Sequence, residues 1–441
     1  MKEELKLAKE LIEFINESPT AFHAVESVRN ILDSHGFAML REEDPWDLSK
    51  GGKYYVIKNN SALIAFVVGN EAVEEGFRII GAHTDSPTFR IKPAAEVMAE
   101  DYYIKLNTET YGGPILSTWM DRPLSVAGRV AIKNNNLYMP LIKLVNIRKP
   151  IMIIPNLAIH MNREMNSGVE LNKQKDMMPL LAIINEKLEN EDYLLNAIAE
   201  ELNVAPSDII DFDLFLYNLE KGVIMGLREE FISSPRLDDL AMVHAGITAL
   251  SKASDAGSTS VMVCFDNEEV GNITRQGADS PLLSNILERI IISIGGQRED
   301  FFRAISRSFM ISADLAHAVH PNVGEKYDPK NRPLINKGPV IKISANMRYA
   351  TDSVSSSIYT QICEKANIPY QWFVNRSDEK GGSTIGPISS SHLGIRCVDI
   401  GTPILAMHSA RELGGVLDHF YVIKSFEEFY RTASDATAKH A

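Results

Sequence analysis

Residues 260–271, SVMVCFDNEEVG, join an apolar run to a pair of adjacent carboxylates. The run at 260–265 is short, rich in valine and without polar alternation, which is typical of a strand buried on both faces of a parallel sheet. Glu268 and Glu269 follow where this predicted strand ends. Because functional groups in open α/β sheets gather at the carboxyl ends of the strands, the stretch predicts both a fold class and one edge of a site.

The segments around this strand alternate between strand and helix. Apolar stripes at helical period predict helices, and short apolar runs predict strands. The predicted helices span 238–250, 282–292 and 355–365, and the predicted strands span 54–57, 62–68, 77–80, 309–311, 340–343, 372–374 and 395–400. Strands that alternate with helices imply a mainly parallel sheet flanked by helices, which is an α/β fold.

The pattern of apolar residues, prolines and glycines changes between residues 91 and 230. Short alternating segments such as 126–132, with frequent proline and glycine between them, predict antiparallel strands. One amphipathic helix is predicted over 178–188. We therefore expect an α/β domain at 1–90 and 231–441, interrupted by an inserted β-rich domain at 91–230.

Composition excludes several kinds of partner. The 441 residues carry 45 basic and 58 acidic side chains, a net charge of -13. An acidic chain is a poor ligand for nucleic acid or for an anionic membrane surface, and no uncharged apolar run reaches the ~18 residues of a membrane-spanning helix. Three cysteines without a Cys-x-x-Cys motif, and an N-terminus without an apolar signal region, favour a reducing compartment. The sequence predicts a cytoplasmic protein.

The rule that functional groups lie at the carboxyl ends of strands, the strand-end rule, can be applied along the whole chain. It gives a set of histidines and carboxylates at one rim of the sheet. The set contains His83, Asp85, Asp238, Glu268, Glu269, Asp314 and His408. Imidazole nitrogen and carboxylate oxygen are common zinc ligands, and carboxylates can bridge two ions. We predict a site for two zinc ions, although cobalt or manganese would suit the same ligands. Taken alone, Asp238 is most simply a helix N-cap, and His408 can equally be a core histidine.

Two short motifs within this set suggest a division of roles. A ligating histidine usually donates its second ring N–H to a carboxylate, and Asp85 follows His83 by two residues. Of the adjacent Glu268 and Glu269, one can bind metal while the other faces the attacking water as a general base. The motifs therefore favour hydrolysis at a metal centre.

Six blocks of sequence resemble the M18 family of zinc aminopeptidases, the aspartyl aminopeptidase family. They are GAHTDSP at 81–87, SPRLD at 234–238, DNEEVG at 266–271, SADLAHAVHPN at 312–322, GPI at 386–388 and AMHSARE at 406–412. The resemblance runs from the first helices to the C-terminus. It implies a zinc-exopeptidase-like α/β domain interrupted by a β-rich domain, and assembly into a homo-oligomer, commonly a tetrahedral dodecamer in this family.

The resemblance also implies how two zinc ions would be held. His83 and Asp314 would hold one ion, and Glu269 and His408 would hold the other. Asp238 would bridge the two ions. The family's function is to remove N-terminal residues from peptide substrates.

Three further roles are implied by the same resemblance. Asp85 would orient His83, and Glu268 would activate the water and pass its proton to the leaving amine. His160 of the insert would reach the active site of a neighbouring subunit. From its sequence alone, His160 is more simply a structural histidine.

Arg348, Lys380 and Gly382 are predicted to line the substrate site. Without the resemblance, their segments are a strand end and a turn. Acidic-selective members of the family have a lysine two residues before the arginine, whereas this chain has Asn346. A cation paired with the side-chain carboxylate of the substrate is the physical basis of acidic selectivity. The preferred N-terminal residue is therefore left open, with Lys380 as a substitute cation.

Two alternatives to an aminopeptidase remain at this level. A dizinc carboxypeptidase or N-acyl amino acid deacylase of the same fold would use the same metal ligands, and a non-catalytic oligomeric scaffold would need none of them. All seven proposed metal and catalytic residues are present, which argues against the scaffold. Motifs for serine hydrolases, phosphate loops, dinucleotide binding and His-Glu-x-x-His metalloproteases are absent from the sequence.

Overall fold

The computed structural model of the chain describes residues 2–184, 192–254 and 256–432. These residues form two compact units. The first contains the residues up to Asp85, Gly222–Met407 and the residues from Glu412 on, and the second contains Ser86–Lys221 and His408–Arg411. Among the helices of the described ranges, none has the length and apolar character needed to cross a membrane.

The helices and strands of the described residues are numbered in chain order. The helices are α1 (Glu3–Glu17), α2 (Ala21–Ser34), α3 (Ala72–Glu75), α4 (Tyr193–Leu202), α5 (Leu237–Ser251), α6 (Leu282–Ser293), α7 (Arg298–Ser306), α8 (Ser353–Lys365), α9 (Ile385–Leu393) and α10 (Val416–Arg431). The strands are β1 (Ala38–Leu40), β2 (Lys53–Lys58), β3 (Ala62–Val67), β4 (Phe77–His83), β5 (Thr88–Ala99), β6 (Tyr103–Tyr111), β7 (Leu124–Ile132), β8 (Leu141–Asn146), β9 (Leu180–Ile183), β10 (Ile209–Asn218), β11 (Val223–Met225), β12 (Phe231–Ser234), β13 (Thr259–Phe265), β14 (Phe309–Ala313), β15 (Ala316–His317), β16 (Val340–Ile343), β17 (Gln371–Val374), β18 (Arg396–Gly401), β19 (Pro403–Ile404) and β20 (Glu412–Gly415).

The first unit is built on a sheet with the strand order β1-β2-β3-β13-β4-β14-β18-β16-β17. Its central strands, β13-β4-β14-β18, are parallel, and β3 and β16 pair antiparallel on either side of them. Strands β4 and β13 are buried along their whole length, as unbroken apolar runs in parallel sheets are. The predicted α/β class is confirmed.

Helices cover both faces of this sheet. Successive side chains of a strand point to opposite faces, so Ile79 and Ile80 belong to different cores. The core around Ile80 includes residues of α1, α2, α5, α8 and α10, and the core around Ile79 includes residues of α6, α7 and α9. Helix α5 is buried at nearly every position, because apolar residues lie all round it.

The second unit contains an antiparallel sheet with the strand order β8-β7-β10-β5-β6-β9. Its core packs Phe89, Trp119 and Leu214 among other apolar side chains. The helix predicted over 178–188 is wrong at Leu180–Ile183, where β9 pairs with β6 as the last strand of the sheet. Strand pairing with a distant segment overrides the local helical pattern there. Residues 185–188 of that prediction lie outside the described residues.

Parallel pairing aligns the carboxyl ends of three strands in the first unit. Phe265 at the end of β13 pairs with His83 at the end of β4, and Ser312 of β14 pairs with Gly81. The loops that follow these three strands therefore begin side by side. This alignment, set by backbone hydrogen bonds, determines where the candidate site can form.

Candidate metal centre

His83, Glu268 and Glu269 converge at this edge of the sheet. His83 ends β4, and the two glutamates lie in a single 3₁₀ turn, Glu268–Val270, after β13. One potential ligand atom from each of the three residues lies within 4.8 Å of the others. Nitrogen and oxygen atoms at such spacing form a donor set that suits a divalent cation.

Asp314 completes this group from the neighbouring strand. It follows β14 directly, and its Oδ1 lies 3.7 Å from Nε2 of His83. Zinc binds these atom types at about 2.0–2.2 Å, so two ligands of one tetrahedral ion lie about 3.4 Å apart. The separation of the two atoms therefore fits a shared zinc ion.

Asp85 has two functions in the structure. Its backbone carbonyl oxygen and its Oδ1 lie 3.1 and 3.3 Å from Nδ1 of His83, and such acceptors fix the orientation of a ligating histidine. Its two carboxylate oxygens also accept hydrogen bonds, each at 3.1 Å, from the backbone N–H groups of Glu268 and Glu269. The second function, which the sequence does not reveal, fixes the turn that carries both glutamates.

Left-handed backbone occurs at the residues that lead into this site. Asn267, just before Glu268, has φ 66°, and Arg236, two residues before Asp238, has φ 55°. Such conformations cost free energy outside glycine and concentrate at functional sites, where the surrounding structure enforces them. The turns are therefore held in conformations that direct the following carboxylates.

Asp238 lies buried in the first turn of α5 but is not the N-cap, a position that Arg236 occupies. The alternative interpretation of Asp238 as a helix cap is therefore wrong. The backbone N–H groups of Leu237 and Asp238 donate instead to Oε2 of Glu412, at 2.7 and 3.1 Å. The pairing of β12 with β20 brings Glu412 opposite Ser234 and so to the start of the helix. A buried carboxylate thus satisfies the unpaired N–H groups of this helix end.

The buried negative charge of the site shifts the pKa values of its members. Burial raises the pKa of Glu268 to about 8, with the charge of His83 opposing the rise and nearby carboxylates adding to it. Burial lowers the pKa of His83, but hydrogen bonds to Asp314 and Asp85 outweigh it and hold the pKa well above its usual value. A bound divalent cation would relieve this repulsion and take the place of a proton.

His408 and His160 belong to the second unit. His408 is half-buried, has φ 65°, and has its Nδ1 3.1 Å from the carbonyl oxygen of Gly113, so it is not a core histidine. His160 is exposed in a turn. The roles of both residues stay predictions.

The predicted substrate residues lie on two loops of the first unit that contact each other. Arg348, Lys380 and Gly382 are exposed. The hydroxyl of Ser383 donates to the carbonyl oxygen of Arg348 at 3.3 Å. The arginine loop and the glycine-rich loop therefore form one surface.

Comparison with known proteins identifies the family. The family model for aminopeptidase I zinc metalloproteases (M18) matches residues 14–430. The probable M18 family aminopeptidase 2 of Clostridium novyi is 63% identical over 431 residues, which is 98% of this chain and 100% of that protein. The chain belongs to the M18 family of zinc aminopeptidases. The predicted family and the predicted class of enzyme, an aminopeptidase that hydrolyses peptide bonds, are confirmed.

Solved structures of M18 proteins share the whole fold. A cryo-EM structure of the Ape4 and Nbr1 complex contains a chain that is 37% identical, with a TM-score of 0.93, and the match covers 97% of this chain and 86% of that one. The S. cerevisiae mApe1 dodecamer is 30% identical, with a TM-score of 0.83, and 96% of each chain is covered. An M18 aminopeptidase from Thermotoga maritima is 22% identical, with a TM-score of 0.86, and the match covers 97% of this chain and 96% of that one. At this identity the likeness shows a common fold and nothing more.

Asp399 is a buried carboxylate of this M18 protein that sequence reasoning missed. It accepts hydrogen bonds from the hydroxyls of Ser312 and Thr384, both at 2.5 Å, and from the backbone N–H of Ala350 at 2.6 Å. These donors belong to β14, the glycine-rich loop and the arginine loop. Asp399 thus joins both loops to the strand that Asp314 directly follows. A charged residue in the apolar run at 395–400 was the signal that could have found it.

Replacing Asp399 with asparagine should destabilise the first unit. The amide would turn an N–H group toward at least one of three donors and leave it without an acceptor in the core. We expect the free energy of unfolding, measured by urea titration, to fall by about 1–3 kcal/mol. The exposed Asp47→Asn is the matched control and should unfold like the wild type. A D399N variant as stable as the wild type would contradict the role given to this carboxylate.

Proposed function

We propose that this M18 protein removes the N-terminal residue of peptides with two zinc ions at the carboxyl edge of the sheet. The observation that carries the proposal is the separation of 3.7 Å between Nε2 of His83 and Oδ1 of Asp314. His83 is buried, and 16% of the Asp314 side chain is exposed. Both atoms fit the ligand chemistry of zinc. Glu268 and Glu269 supply further oxygen atoms beside them.

The proposed ligands divide between two ions as the family resemblance implies. His83 and Asp314 would hold the first zinc, Glu269 and His408 would hold the second, and Asp238 would bridge them. Support comes from the burial of His83 and Asp238 and from the carboxylates that surround Glu268, the residue next to Glu269. Cobalt or manganese would suit the same oxygen and nitrogen ligands.

The chain's own residues supply the proton transfers. Zinc, when bound, polarises the peptide carbonyl and makes water a better nucleophile. Glu268 takes a proton from the attacking water and delivers it to the leaving amine. Asp85 keeps this glutamate in position, because it holds the backbone N–H of Glu268. Because a buried carboxylate already holds the base in place, the base does not have to reorient as charge develops during the reaction.

An aminopeptidase is favoured over a carboxypeptidase or deacylase of similar fold. Family membership supports it directly. A carboxypeptidase also needs a cation for the C-terminal carboxylate of its substrate, whereas a free amine is bound by anionic groups such as those gathered here. Hydrolysis of aminoacyl-nitroanilides and of N-acylated amino acids by the zinc-loaded protein tests this choice. Faster hydrolysis of the N-acylated substrates would favour the alternative.

Replacing Glu268 with glutamine should separate catalysis from metal binding. The amide has nearly the same shape but cannot accept the proton, so we expect kcat to fall by about 10²–10⁴-fold. Zinc content, measured by elemental analysis after dialysis, should equal that of the wild type.

Asp238→Ala is the contrasting variant. Loss of the proposed bridge should lower zinc content and activity together. An E268Q enzyme with wild-type turnover would refute the general base, and a D238A enzyme with full zinc content and activity would refute the bridge.

We further propose that selectivity for acidic N-terminal residues is weak. Asn346 is exposed on the loop that carries Arg348, and it offers no charge to a substrate carboxylate. Lys380, on the neighbouring loop, is exposed as well and can contribute a weaker attraction through solvent.

Asn346→Lys should raise the preference for acidic substrates. A charge-assisted hydrogen bond contributes about 1.5–3 kcal/mol, so we expect kcat/KM for a glutamyl substrate to rise about tenfold or more relative to leucyl. The neutral N346Q is the control and should leave the ratio unchanged. A wild type with strong glutamyl preference, or N346K with an unchanged ratio, would contradict this account.

We also propose that the protein is a homo-oligomer assembled through the inserted domain, and that His160 serves the site of a neighbouring subunit. The relative from S. cerevisiae is a dodecamer. In the second unit, Leu137, Tyr138 and Met139 expose 86, 91 and 57% of their surface in the loop between β7 and β8. Exposed apolar groups of this kind mark protein interfaces.

Mixed subunits test the role of His160. H160A and E268Q should each be nearly inactive. Co-expression of the two variants should restore activity, because an E268Q subunit still supplies His160 to a neighbouring H160A subunit, whose Glu268 is intact. Light scattering should give a mass several times the 49.1 kDa chain. A monomeric mass, or mixtures no more active than the single variants, would contradict the shared site.

The cytoplasm is the proposed compartment. Cys264, Cys363 and Cys397 are buried free thiols, which is usual in a reducing environment. Recovery of the protein in a periplasmic or secreted cell fraction would contradict this proposal.

A further inference from the structure

Lys342 is a buried cation next to the candidate metal centre. It lies in β16, and only 2% of its surface is exposed. Removal of an ammonium group from water is costly unless charged or polar partners surround it. Its Nζ lies 3.3 Å from Oδ2 of Asp314 and donates to the carbonyl oxygen of Leu315 at 2.8 Å. It also lies 5.3 Å from the centre of the Tyr349 ring, a distance that permits cation–π attraction.

These contacts make the two oxygens of Asp314 unequal. Oδ2 faces the ammonium group of Lys342, whereas Oδ1 faces Nε2 of His83 at 3.7 Å. Rotation of the carboxylate would break the ion pair in a buried setting. The side chain therefore presents one oxygen to the space beside His83.

We propose that Lys342 is a positioning residue that makes Asp314 a one-oxygen ligand of zinc. The inference rests on the proposed function only in that zinc binds between His83 and Asp314. Lys342 acts through the carboxylate, as the hydrogen-bonding partners of metal ligands generally do.

Tyr349 connects this positioning to the substrate loop. The tyrosine is buried and follows Arg348 directly, and its ring lies beside the ammonium group of Lys342. Residue 350 is held in turn by Asp399. One buried lysine thus contacts both the strand end that carries a metal ligand and the loop predicted to bind substrate.

A purely structural ion pair would behave differently from a positioning one. A structural pair stabilises the protein equally with and without zinc. A positioning pair changes the affinity for zinc, and ligand affinity appears as the extra stability that zinc confers on the folded state. The difference between melting temperatures with and without zinc therefore separates the two roles.

The test uses the full chain with Lys342→Met, which keeps the length of the side chain and removes its charge. The zinc dissociation constant, measured by competition with a chelator, should rise about 10–100-fold. The increase in Tm produced by a fixed zinc concentration should shrink accordingly. Arg78→Met is the matched control, because Arg78 is also a buried cation of this sheet, at the start of β4 rather than at its carboxyl end. R78M should lower Tm equally with and without zinc and leave the zinc affinity unchanged.

Folded K342M with wild-type zinc affinity would overturn the inference. If K342M does not fold, a crystal structure of the zinc-loaded wild type decides instead. One-oxygen ligation through Oδ1, with Nζ of Lys342 on Oδ2, supports the inference, and ligation through both oxygens overturns it. A wild type that binds no zinc would refute the proposed function itself, which is a different outcome from either.

Discussion

Mutual repulsion among buried carboxylates is the constraint on which the rest of the structure depends. At one edge of a parallel sheet, the charges of Asp314, Asp85 and Asp238 add to the effect of burial in raising the pKa of Glu268. In a medium of low polarity such a group is stable only if cations or hydrogen-bond donors offset it. The chain supplies His83, Lys342 and several backbone N–H groups, and divalent ions would supply the remainder.

The fold holds these groups through backbone and carboxylate hydrogen bonds rather than through the metal alone. Register between β4, β13 and β14 aligns the strand ends. Asp85 then fixes the glutamate turn, and Glu412 fixes the start of α5. Side chains held in this way are preorganised, which under the proposed function would lower the cost of binding ions and of reaching the transition state.

Much of this arrangement follows from local patterns in the sequence. The buried run at 260–265 and its alternation with helical segments predict the central sheet, and the strand-end rule selects His83, Glu268, Glu269 and Asp314 before any coordinates are known. The family blocks add the enzyme class. Local pattern fails where a distant segment decides the outcome, as at β9, where pairing with β6 replaces a predicted helix. Glu412 acts on a helix that begins 175 residues earlier in the chain, and no spacing rule connects the two.

The location of bound zinc tests the account most directly. Anomalous diffraction at the zinc edge, from crystals grown with zinc, should give two peaks about 3.5–4 Å apart. One peak should lie between His83 and Asp314, and the second within reach of Glu269, with Asp238 between them. Zinc bound only elsewhere on the protein, or no peak beside His83 and Asp314, would contradict the central claim.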